Sequence, residues 1–280
     1  MTRRFFRMAT GGAQIALLGV AFLMVGQAGP TLAGGQDWAG APSDRFYDAY
    51  VPTASKEGQF FYYTCEFDAA WVVLKTFGHD VPLAEQLEIV GHDTSVKPVY
   101  EETATGFVIY GGDITAAYNG DYTNDFLART TGQAMQPLFE AFDLEVRPIA
   151  DRSDIERTLD GGGLVWIKAT VDFLPWAPTT WITPDGTRLP TVLGNDHSVV
   201  VMGYDDEVVV IRDPLGPTDT NWGRQYEYEV PWDTFLPVWA AQGNDGLAVF
   251  AAGDTADFPD PGDGGLSGIE IGPVGGGAGG

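Results

Sequence analysis

The chain has 280 residues, 39 acidic and 15 basic side chains, a single cysteine and a formal net charge of −24. A lone cysteine excludes an internal disulfide framework and a structural zinc site built from cysteines. The negative charge argues against phosphate-backbone binding, which needs clustered Lys and Arg, so no nucleic-acid partner is expected.

Residues 1–33 contain Arg3, Arg4 and Arg7 and no Asp or Glu. An apolar run from Ile15 to Val25 follows. It is too short for a hydrocarbon core of roughly 30 Å. Pro30 then precedes Thr31-Leu32-Ala33, a small-residue cleavage pattern. The segment reads as an export signal, twin-arginine-like or ordinary secretory, and predicts a secreted protein with no membrane contact after cleavage. Residues 34–54 read as a polar leader and 55–252 as the folded domain. The Gly, Asp and Pro composition of 253–280 cannot bury enough apolar surface to offset ordering, so this tail is expected to be disordered.

Within the domain, Phe67, Ala70, Trp71, Leu74 and Phe77 form one apolar stripe at helical spacing, from Cys65 to Gly78. Pro82 opens a second helix with Leu83, Leu87 and Val90 inward, closed by Gly91. Residues 93–125 read as loop, with turn signals at Gly111-Gly112-Asp113 and Asn119-Gly120-Asp121. Thr131 to Phe142 predicts a third helix and Glu145 to Ile149 a short strand. Ser153 and Glu156 suggest a capping box for a helix ending near Leu159. Leu164 to Val171 is β-rich, and 172–195 reads as Trp- and Pro-rich turns. Strands are expected at Ser198–Met202, Val208–Arg212 and Leu247–Ala251. The fold class is α+β: a helical N-terminal half packed on an antiparallel sheet from the C-terminal half. Trp166, Trp176, Trp181, Trp222, Trp232 and Trp239 read as core and loop anchors.

Four residues suggest chemistry. Cys65 opens an amphipathic helix, where unpaired N–H groups favour a thiolate. His197 lies roughly 130 residues later, a spacing that papain-type enzymes use. A five-residue loop, Gly203–Glu207, pairs Met202 with Val208 and sets His197 directly opposite Asp213 on one face. The aspartate could then orient the imidazole. Gln59, just ahead of the helix, could donate its amide to an oxyanion together with the Cys65 backbone N–H.

The order Gln59, Cys65, Asp-His-Ser-Val-Val-Val-Met-Gly-Tyr-Asp (196–205) and Val-Val-Ile-Arg-Asp-Pro-Leu-Gly (209–216) resembles the bacteriocin-processing type of cysteine peptidase and its secreted relatives. The resemblance implies a papain-like fold, with Cys65 as nucleophile, His197 as general base and acid, Asp213 as orienter and Gln59 as oxyanion donor. It covers roughly 55–252, with 93–130 and 172–195 as insertions. It implies a peptide or protein substrate. The Asp-rich, Lys-poor composition predicts a solvated monomer, and no cofactor or metal is expected. The family usually has glycine after the cysteine, where this chain has Glu66, whose charge opposes thiolate formation. Two alternatives stand beside the peptidase. One is a non-catalytic binding module of the same fold. The other is another acyl-transfer enzyme, transglutaminase-like or cell-wall amidase-like.

Overall fold

The computed structural model describes residues 46–253. The export signal at 1–33, the leader before residue 46 and the tail from 254 lie outside the described residues. The elements in chain order are β1 (Ala49–Tyr50), α1 (Cys65–Thr76), α2 (Leu83–Val90), β2 (His92–Asp93), β3 (Val99–Thr103), β4 (Gly106–Tyr110), β5 (Tyr118–Asn119), α3 (Gly132–Glu140), β6 (Glu145–Pro148), α4 (Arg152–Asp160), β7 (Leu164–Thr170), β8 (Pro178–Ile182), β9 (Arg188–Val192), β10 (Asp196–Tyr204), β11 (Val208–Arg212), β12 (Glu227–Pro231), α5 (Trp232–Ala241) and β13 (Gly246–Phe250).

Seven strands form the main sheet, in the order β12-β11-β10-β7-β13-β6, with β1 beside β10. All its pairings are antiparallel. Side chains alternate across a strand, so each strand feeds two layers. Leu164, Trp166, Val200 and Met202 join the core beneath α1, α2 and α3. Val165, Ile167, Val199 and Val201 join a second core with α4 and α5. The sheet is covered on both faces, and β7 is buried along its whole length.

The helices α1, α2 and α3 fall where their periodicity placed them. The first half is nevertheless not purely helical, because β2 to β5 lie within it. The expected loop at 93–125 contains the β3–β4 hairpin. The expected turns at 172–195 contain the β8–β9 hairpin. Strands β4 and β8 pair in parallel, so the two segments make one four-stranded sheet, β3-β4-β8-β9. All five β3 residues are exposed, so no alternation marks that strand. Ile109, Ile114, Leu127 and Trp181 pack together beneath this sheet. Gly111 is where the Trp181 indole passes, since a Cβ there would lie 2.0 Å from its ring. The indole N–H donates to the Gly112 carbonyl at 2.9 Å. A pair of glycines that reads as a turn is thus the seat of a buried tryptophan.

Three further differences concern caps and breakers. The capping box uses Asp151 and Asp154, not Ser153 and Glu156. Strand β12 and helix α5 were not expected; Pro231 caps α5 and Pro237 sits inside it. Trp166, Trp181, Trp232 and Trp239 are buried, while Trp176 and Trp222 are exposed.

Two buried carboxylates make stability depend on pH. Asp68 accepts the Phe60 N–H at 2.9 Å and the Thr64 hydroxyl at 2.7 Å. Asp245 accepts the Gly132 N–H at the start of α3 at 3.0 Å. Burial outweighs these donors and pushes both carboxyls up to about 6. An unfolded aspartate titrates near 3.9. Each group therefore holds its proton more tightly in the fold, and its stabilising contribution falls as pH rises from about 4 to about 6. Asp68→Asn and Asp245→Asn abolish that term. In urea titrations, each variant should gain stability relative to wild type between about pH 4 and 7, by on the order of 1–3 kcal/mol. A difference from wild type that does not change with pH would rule the titration out.

Candidate active site

Cys65 is the first residue of α1, and the segment leading to it is held by the helix itself. Asp68, one turn in, accepts from Phe60 and Thr64 and pairs with Lys56 at 3.3 Å. The Thr64 hydroxyl also accepts the Phe61 N–H at 2.9 Å. These bonds fix the backbone beside Gln59. Asp68 was not singled out in the sequence, where it looks like an ordinary acid in a first helical turn.

His197 is the second residue of β10 and pairs with Ala169 of β7. The register that places Asp213 near it differs from the expected one. Tyr204 pairs with Val209 and Gly203 with Val210, so the turn is shorter than Gly203–Glu207. An irregularity at Met202 then shifts the pairs to Val201–Ile211 and Val200–Arg212. One step further along, Asp213 faces Val199 instead of His197. Because Val199 and His197 share a face, Asp213 is a diagonal neighbour on that same face. Its Oδ1 lies 2.9 Å from His197 Nε2.

Asp213 is fully buried and well supplied with donors. The Tyr228 hydroxyl donates at 2.9 Å and the Leu215 N–H at 2.8 Å. Arg224 lies 3.2 Å from its other oxygen. Burial alone would raise this carboxyl, but His197 and Arg224 together hold it well below the usual carboxylate range. An ionised acceptor assigns the hydrogen to Nε2 and leaves Nδ1 as the nitrogen that can take a proton. Arg224 also pairs with Asp172 at 2.8 Å. Sequence reasoning missed Arg224 and Tyr228, because β12 and the loop before it carried no recognised pattern.

Gln59, Cys65 and His197 line one cavity of about 210 Å³, with Tyr62, Tyr63 and Asn195. Cys65 is buried, with 6% of its surface exposed. Its thiol donates to Glu66 Oε2 at 3.2 Å, and no hydrogen bond joins it to His197 among the described residues. The Gln59 amide has no side-chain hydrogen bond among the described residues.

Beneath Cys65 lies a buried charge cluster. Lys168 of β7 reaches Glu66 Oε1 at 2.6 Å and Asp196 Oδ2 at 2.8 Å. Asp196 also accepts from Gln242 at 2.6 Å and lies 3.9 Å from Arg129. Asp196 is lowered despite burial, through Lys168 and Arg129. Lys168 is raised despite burial, through Asp196 and Glu66. Glu66 and Asp196 face Lys168 and Arg129, with Asp245 nearby, and a Cys65 thiolate would add a further negative charge. Burial first, and Glu66 second, push the Cys65 thiol well up, with Lys168 opposing. The sequence does offer one clue to this cluster: Lys168 is the only charged residue in the apolar run Leu164–Val171.

The charge balance predicts how Cys65 ionises. Glu66→Gln should speed alkylation of Cys65 by a small haloacetamide near pH 6.5, by about tenfold, since one pKa unit is about 1.4 kcal/mol. Lys168→Met should slow it. The double variant, with one charge of each sign removed, should return toward the wild-type pH profile. If the three profiles coincide with wild type, the cluster does not govern the thiol.

Comparisons with known proteins agree with this fold. A sequence model described as the Peptidase_C39 like family matches residues 49–247. The uncharacterized protein YvpB of Bacillus subtilis (strain 168) is 28% identical over 162 residues. That match covers 54% of this chain and 62% of YvpB, so the chain spans less than two thirds of this curated relative. A crystal structure described as a C39-like peptidase from Bacillus anthracis superposes with a TM-score of 0.55 at 19% identity. It covers 72% of this chain and 96% of that one, and the likeness concerns the fold. With the family match spanning most of the chain, this protein belongs to the Peptidase_C39 like family.

Proposed function

We propose that the protein is an exported cysteine peptidase acting through Cys65, His197, Asp213 and Gln59. The observation that carries this reading is the His197–Asp213 contact of 2.9 Å at the rim of the cavity that Cys65 and Gln59 share. The papain-like arrangement, a helix-borne cysteine with a strand-borne histidine, is part of the proposal. So are export through residues 1–33, a peptide or protein substrate and action as a monomer.

On this reading His197 Nδ1 takes the thiol proton as Cys65 Sγ attacks the carbonyl carbon. The new C–S bond leaves an oxyanion, for which Gln59 and the Cys65 backbone N–H are the donors. The imidazolium returns its proton to the leaving amine as the C–N bond breaks. Water then attacks the thioester, losing its proton to His197, and the acid departs as the thiol reforms. Asp213 holds the ring and stabilises its charged form. The imidazolium is also the cation that offsets the thiolate over the cluster. In this picture the thiol leaves Glu66 and turns to His197 when substrate binds.

A second reading, a non-catalytic binding module, draws on that same resting contact between Cys65 and Glu66. A thiol-reactive peptide mimic separates the two. Catalysis predicts labelling of Cys65 far faster than of free cysteine, with His197→Ala reducing the rate by about 10²–10⁴. Labelling no faster than that of a free thiol, or needing denaturant, would leave the binding module as the function.

A further inference from the structure

The catalytic cavity is small, and a larger one lies beside it. The second cavity, of about 690 Å³, runs between the entry to β3 and the 120–127 loop. Ligand pockets are typically about 300–1,000 Å³. Val96, Tyr100, Phe126 and Leu127 supply apolar wall. Phe126 lines both cavities and is the wall between them. It meets Tyr100 edge-on, with ring centroids 6.1 Å apart. Both rings are about half exposed. Contiguous exposed apolar surface along a cavity is the kind of surface that binding grooves present.

The charges around this groove favour one sign of ligand. Lys97 lines it, but so do Asp121 and Asp125. Glu101 and Glu102 stand exposed on the adjoining β3. The whole chain carries −24, which attracts cations over distance. The groove is lined by residues of 94–100 and 120–127, none of them on the strands that carry His197 and Asp213.

We propose that this groove binds a large apolar side chain, aromatic or branched, of a basic peptide whose neighbouring bond lies at Cys65. The placement of that bond rests on the peptidase reading; the binding of the side chain does not. Phe126 and Tyr100 are specificity-determining residues on this account, and they act on affinity for the peptide.

Binding can be measured on the full chain carrying Cys65→Ala, which cannot turn a peptide over. Three synthetic peptides serve as probes: one with a central Phe between lysines, the same with Ala for Phe, and the Phe peptide with glutamates for lysines. The Phe peptide should bind at least tenfold tighter than the Ala peptide. The glutamate peptide should be weaker by a similar factor, a gap that closes in 1 M salt. Adding Tyr100→Ala should erase the Phe-over-Ala preference, and a photoreactive phenylalanine at the centre should crosslink to 96–100 or 120–127. Equal binding of the Phe and Ala peptides would overturn the proposal. So would a preference that survives Tyr100→Ala, or crosslinks placed elsewhere. If the Phe peptide binds as expected while Cys65 of the wild-type chain is no more reactive than a free thiol, the groove stands and the peptidase reading fails.

Discussion

Lys168 is the interaction on which the site depends. It projects from the central strand β7 and bonds Glu66 and Asp196 at once. Those two residues are the immediate neighbours of Cys65 and His197. One buried ammonium thus ties the start of α1 to the start of β10 and sets the spacing between the cysteine and the histidine. A buried ion pair is a weak source of net stability, because desolvation offsets most of the Coulomb attraction. Losing one partner is costly, because it leaves the other charge buried and unpaired, so the cluster favours the observed seating of α1 on the sheet. The Trp166 indole reinforces the same junction by donating to the Glu66 carbonyl at 3.0 Å.

The cluster also links the second sheet to the site. Arg129 lies near Asp196, and its guanidinium donates to the Thr191 hydroxyl and the Val192 carbonyl of β9 at 2.6 and 2.8 Å. Gln242, just past α5, donates to Asp196 and also to the Ala169 carbonyl of β7. Two peripheral residues, Arg129 and Gln242, therefore converge on the carboxylate beside His197. The segments that look like insertions in sequence are joined to the charge balance under the cysteine, and the first of them also builds the groove beside it.

Much of this was legible in sequence, for physical reasons that can be named. α1 has a wide apolar stripe, and β10 has a long apolar run because both its faces are covered, so pattern alone located both. β3 has no pattern, because all five of its residues face water. α5 carries Pro237 within it, a residue that ordinarily breaks a helical pattern. Lys168 was visible as a charge in an apolar strand, but its two partners lie 102 and 28 residues away in sequence. No local rule pairs residues at such separations. Arg224 and Tyr228 escaped for the same reason.

The closeness of His197 and Asp213 shows how an incorrect register can still give a correct contact. In a strand, position parity decides the face, and a slip of one residue moves every side chain to the other side. The real turn is shorter than the expected one by an amount that by itself changes parity. The extra residue at Met202 changes it back. The bulge therefore keeps Asp213 on the face of His197, and the two become diagonal neighbours instead of opposite ones. The diagonal leaves room for other donors at the same carboxylate. Tyr228 faces Ile211 on the neighbouring strand, and its hydroxyl reaches the second oxygen of Asp213. Arg224 approaches from the loop before β12. With one oxygen turned to the imidazole and the other held by Tyr228 and Arg224, the carboxylate cannot rotate away from the ring. The orientation of His197 is thus fixed by elements on the far side of β11, well removed in sequence from the helix that carries Cys65.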